Sequence, residues 1–157
     1  MKLIRIWISL GLVLQFPVTI AAQTLHQDFR PVVELAKTGE WTAQRLLVDG
    51  KIRIRFELPT LSPITYMPPI PSTLLVSGKL VNWNGRTYLL TSWQEGVSTS
   101  ALRVFDPLSK EQLVVFERYS IGEVGFKITD RGLEISVAES GGWSLEPVVT
   151  TSLWSAP

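Results

Sequence analysis

Cysteine is absent from the chain. Disulfides are excluded, so a domain of this size must stand on its hydrophobic core. Histidine is almost absent too, with His26 alone. A zinc site of three or four protein ligands would therefore need several carboxylates, and no acidic loop has the spacing of a calcium hand. No metal ligand and no cofactor are expected. The same scarcity weakens nucleophilic hydrolysis. There is no Gly-x-Ser-x-Gly turn, and a serine nucleophile would have to recruit His26. Ser109-Lys110 lies in an expected turn, where adjacency alone activates nothing. A glycine-rich loop opening a helix is also missing, which removes the usual phosphate cradle.

Long apolar runs are confined to the N-terminus. Met1-Lys2-Leu3-Ile4-Arg5 is basic, residues 6–16 are largely apolar, and Pro17-Val18-Thr19-Ile20-Ala21-Ala22 ends in small residues. This is the layout of a secretory signal peptide over residues 1–22, cleaved after Ala21 or Ala22. A retained membrane anchor is the alternative. No cysteine follows the run to carry a lipid. Beyond it no stretch is long enough to span a bilayer. Lys2 and Arg5 account for two of the 15 basic residues, which leaves 13 against 14 acidic ones in residues 23–157. That near-balance gives no footprint for nucleic acid. A periplasmic or secreted, bacterial protein is expected, whose partner is another envelope or secreted protein.

What the sequence has in quantity is short apolar strands. Residues 74–137 organise the chain. Leu80-Val81-Asn82-Trp83 reaches Asn84-Gly85, a step that tolerates positive φ, and Thr87-Tyr88-Leu89-Leu90 returns. Leu80 and Asn82 share one face, Val81 and Trp83 the other. Neither face is cleanly polar, so both are expected to be partly covered. Ala101-Leu102-Arg103-Val104-Phe105 leads through the turn Asp106-Pro107 to residues 112–119, with Leu113, Val115 and Glu117 on one face. A third pair, residues 124–128 and 133–137, alternates so that Leu133, Ile135 and Val137 share a face.

On either side the pattern is less regular. Phe29, Val32, Val33 and Ala36 are spaced as a helical stripe behind a capping Asp28, which predicts one short N-terminal helix ended by Gly39. Residues 45–56 form a hairpin around Asp49-Gly50, with Ile52, Ile54 and Phe56 opposite Lys51, Arg53 and Arg55. Prolines at 59, 63, 68, 69 and 71 mark a proline-rich loop or edge crossing over residues 58–72. Residues 92–100, including Trp93, read as a loop. A C-terminal tail from Trp143 adds a last strand or wraps back on the domain.

The expected fold is all-β. It is a small antiparallel barrel or partly closed meander in residues 23–157, with a two-sheet sandwich as the alternative. Rigid aromatics and the local cations offer the candidate contact residues: Trp83, Trp93, Tyr66, Arg53 and Arg55. No catalytic residue stands out. The expected role is a non-catalytic binding or interaction protein, an accessory subunit of an envelope assembly or an inhibitor of a partner enzyme. Two other classes stay open. A carrier would enclose a small apolar ligand in a barrel cavity. A carboxylate hydrolase would bring two of Glu117, Glu123, Glu134 and Glu139 across one cleft.

Overall fold

The computed structural model describes residues 23–24, 31–70, 74–122, 124–129, 131–139 and 148–155. They form twelve strands: β1 (Gln23–Thr24), β2 (Val32–Lys37), β3 (Thr42–Val48), β4 (Lys51–Leu58), β5 (Leu61–Tyr66), β6 (Leu74–Trp83), β7 (Arg86–Glu95), β8 (Thr99–Phe105), β9 (Val114–Ile121), β10 (Gly125–Thr129), β11 (Gly132–Glu139) and β12 (Val148–Trp154). The expected signal segment, His26, the capping Asp28, Glu123 and Trp143 lie outside the described residues.

The strands make three antiparallel sheets. A five-stranded sheet runs β1-β6-β7-β8-β9, a four-stranded one β2-β3-β4-β5, and a three-stranded one β10-β11-β12. Tight hairpins set this order, because sequence neighbours become spatial neighbours. Asp49 and Asn84 both sit at positive φ, each followed by a positive-φ glycine, as a two-residue turn demands. Asp106 builds the next turn: its carboxylate accepts the Leu108 N–H at 3.0 Å and its carbonyl accepts the Ser109 N–H at 3.1 Å.

The five-stranded sheet is the middle layer, with a core on each face. On one face Leu75, Leu89, Trp93, Ala101 and Phe105 meet Val33, Ala36, Ala43, Ile54, Phe56 and Leu58 of the four-stranded sheet. On the other, Val81, Tyr88, Leu90, Leu102 and Val104 meet Leu133, Ile135 and Val137 of the three-stranded sheet. β7 and β8 are therefore covered on both sides, which explains why their sequences show no polar face. Three residues carry the chain from β9 to β10. The Gly122 N–H in this bend donates to the Ser98 carbonyl at 2.5 Å.

This architecture corrects four expectations. The sheets do not close into a barrel, and three layers stand where a barrel or a two-sheet sandwich was expected. Closure is not needed where strands bury their faces against a neighbouring sheet. No helix occurs among the described residues, and Val32–Lys37 is a strand. A bulge between Glu34 and Ala36 shifts the phase, so Val33 and Ala36 both point inward. That three-residue spacing imitates a helical stripe. Within residues 58–72 the segment Leu61–Tyr66 is a strand, with Pro63 tolerated because β5 is an edge. β7 extends to Glu95, so Trp93 is a strand residue and not a loop residue.

A fifth difference is local. A second bulge, where Phe105 pairs with Val114 and Val104 with Phe116, breaks the alternation expected in β9. Val114 packs into the first core, while Val115 and Phe116 pack into the second. The last strand of the expected tail is real: β12 pairs with β11 from Leu133↔Trp154 to Glu139↔Val148 without a shift.

Candidate functional site

Arg103 lies in the middle of β8, on the face turned toward the four-stranded sheet. Its side chain is fully buried. Register places it beside Thr91 on β7 and Glu117 on β9. Its guanidinium reaches along the face past Ala101. Nη2 donates to Glu95 Oε1 at 2.5 Å, and Nε donates to Glu117 Oε1 at 2.5 Å. Nη2 also donates to the Tyr119 hydroxyl at 3.2 Å. Three rings surround the cation: Trp93 at 5.5 Å, Tyr119 at 5.7 Å and Tyr66 at 5.9 Å from its central carbon. Each ring face is attractive to a desolvated cation.

The cage is itself held in place. Trp93 Nε1 donates to Thr91 Oγ1 at 2.7 Å, and Thr91 Oγ1 donates to the Arg103 carbonyl at 3.3 Å. Tyr66 stands edge-on to Phe105 at 4.9 Å and to Trp93 at 6.2 Å. Buried Arg103 Nη1 and Glu95 Oε2 have no hydrogen-bond partner.

Electrostatics follow from this geometry. Desolvation alone would lower the Arg103 pKa. The Glu95 hydrogen bond, with the fields of Tyr66, Glu95 and Glu117, outweighs it, and Arg103 is held more firmly protonated than usual. Burial pushes the Tyr66 phenol up to about 12, against an opposing pull from Arg103. Burial also raises Tyr119, with Arg103 pulling down and Glu117 pushing up. The cluster thus holds one locked cation among neutral phenols at physiological pH.

From the locked interior the cluster reaches the surface at β9. The Glu117 side chain is 35% exposed and Tyr119 is 44% exposed. An open groove of about 390 Å³ runs here, lined by Glu117, Tyr119, Ile121, Thr99, Ala138 and Glu139. Its floor is tied across two sheets, because Ser120 Oγ accepts the Ala138 N–H at 2.8 Å. No group of three or more metal-ligating side chains occurs among the described residues. Comparison with protein families, curated proteins and solved structures finds no match for this chain.

Of the five residues singled out from sequence, the structure brings two together. Tyr66 and Trp93 are walls of the Arg103 cage. Trp93 is fully buried, so it offers no surface of its own. Trp83 is half-buried against the second core, on the opposite face of the middle sheet. Arg53 and Arg55 lie on the outer face of β4, and Arg55 Nε is 3.3 Å from Glu57. Sequence reasoning missed Arg103, Glu95 and Tyr119. One signal was available: Arg103 is the one charge in the otherwise apolar stretch Ala101-Leu102-Arg103-Val104-Phe105. A charge flanked by apolar residues on both strand faces must find a buried counter-charge.

Proposed function

We propose that this chain is an exported, non-catalytic binding protein that meets an envelope or secreted partner along the β9 edge. The observation that carries this reading is the groove at Glu117, Tyr119 and Ile121, backed by the buried Arg103 cage. A cage of this kind fixes side chains before a partner arrives, which lowers the ordering cost of binding. Half-exposed tyrosine and isoleucine beside a carboxylate are the material of a small contact surface. Both carboxylates of the cluster accept hydrogen bonds from one guanidinium. That arrangement holds shape, tying Glu95 and Glu117 to the cation. Export rests on the N-terminal sequence pattern, and the site does not depend on it.

The test is partner capture from an extract of the native cell envelope, with the processed chain as bait. Tyr119→Ala and Ile121→Ser should each lose the captured partner. Arg53→Ala, on the far face, should keep it. Capture that survives both groove variants, or that fails with all three alike, would overturn the assignment of this edge.

A further inference from the structure

We propose that two copies of this chain join edge to edge through β12, fusing their three-stranded sheets into one continuous six-stranded sheet. This surface is the outer edge of the third sheet, one strand across from Ala138 and Glu139 of the β9 groove, and the pairing does not rest on that groove's role.

An edge strand exposes unpaired N–H and C=O groups, and proteins normally guard such edges with charge, proline, bulges or brevity. Among the described residues the other edges carry these guards. β2 has Glu34, Lys37 and a bulge. β5 has Pro63 and a bulge of its own, where Ser62 and Pro63 oppose Glu57 of β4. β6 carries Lys79 and a bulge, and takes β1 at Ser77 and Gly78. β9 has Glu117, Arg118 and the bulge near its start. β10 is five residues long and carries Lys127. β12 has none of them. Val148-Val149-Thr150-Thr151-Ser152-Leu153-Trp154 holds no charge and no proline, and its seven pairs with β11 run without a shift. Its composition has the high β-propensity and neutrality that favour strand addition.

The strand is also complementary to itself. Antiparallel pairing about a twofold axis at Thr151 sets Val149 against Leu153, Thr150 against Ser152, and Thr151 against its own copy. Val149 is 69% exposed and Leu153 51% exposed, both on the outer face, so the pairing would cover them together. Apolar and Thr–Thr cross-strand pairs are stabilising, and no like charges meet. One polar atom points the same way. Ser152 Oγ is buried without a hydrogen-bond partner within the chain, and this register brings it opposite a Thr150 hydroxyl. A shared edge of this kind is an isologous, closed interface, so it stops at the dimer.

The experiment measures the mass of the processed chain by sedimentation over a wide concentration range. The native chain should be dimeric. Thr151→Lys and Thr151→Glu each place like charges opposite one another and should weaken the dimer at least about tenfold. An equimolar mixture of the two variants should restore it, because position 151 then faces an opposite charge. A native chain that stays monomeric would overturn the proposal, including one that binds only a strand of another protein. So would a dimer indifferent to both charges, or a mixture that fails to recover. Should the variants not fold, amide exchange in the native chain decides. The β12 amides should gain protection as concentration rises, and unchanged protection would refute the pairing.

Discussion

Replacing Arg103 by methionine removes the cation and keeps most of the apolar stem. Glu95 is then left with a fully buried carboxylate and no counter-charge, since among the described residues its side chain hydrogen-bonds to Arg103 alone. Breaking a buried pair from one side costs about 3–5 kcal/mol, chiefly through the stranded charge. Glu117 adds little to that penalty, because its half-open position lets it turn to water. With a urea slope of about 2 kcal/mol per molar, the unfolding midpoint should fall by about 2 M. Tryptophan fluorescence reports the transition, as Trp93 packs on the guanidinium. The companion variant Arg103→Met with Glu95→Leu removes both charges. It should recover most of the loss, because well-packed apolar replacements of a buried ion pair are often neutral or better. A single substitution costing under about 1 kcal/mol would refute the reasoning. Costs that simply add in the double variant would refute it equally.

Gly132→Ala should unfold or displace the third sheet, costing about 1–3 kcal/mol from its positive φ alone. A Cβ there would also overlap the Trp154 carbonyl oxygen. Thermal unfolding followed by circular dichroism checks it, and a melting temperature within error of the parent would contradict the geometry. Tyr66→Phe should change the alkaline limb of stability. The phenol is raised from about 10 to about 12 in the fold, so its contribution is whole below pH 10 and is lost as pH rises toward 12. The discounted size is about 1–2 kcal/mol, since Tyr66 is half-buried. Denaturant titrations across that window should show a shallower decline in the variant. Arg53→Ala, on the outer face of β4, should change stability by no more than about 0.5 kcal/mol in the same titration.

Local turn chemistry was legible because it depends on two or three residues. Asn84-Gly85 and Asp49-Gly50 made the tight turns their φ tolerance requires, and Asp106 made its side-chain-capped turn. The absence of a polar face around Leu89 and Leu90 correctly signalled cover on both sides. The number of layers was not legible, since nothing local says which sheet will cover which face. The bulges hid most. One made Val33 and Ala36 look helical, and another moved Val115 from its expected face. A bulge changes the phase of a strand without any residue type that marks it. The cage was half visible: Tyr66 and Trp93 drew notice as aromatics, and the cation that gathers them did not.

The buried charge is better understood through the middle sheet than through stability. A strand with one wet face has its register fixed, because a one-residue slip would turn its apolar side chains to water. β7 and β8 have no wet face, so a slip exchanges one apolar core for another and the hydrophobic pattern discriminates weakly. Arg103 and Glu95 restore the discrimination. A slip of β8 by one residue would carry Arg103 away from Glu95 and Glu117 and into the apolar core of Val81, Leu90 and Ile135. Polar residues inside a core can specify register in this way at some cost in stability. The variant lacking both charges should therefore remain stable yet lose uniqueness. Its amide NMR spectrum should show broadened or doubled resonances for β7, β8 and β9, while the hairpin of β10 and β11 stays sharp. A single sharp set throughout would mean that side-chain packing alone holds the register, and the cage would then stand only as the support of the β9 groove.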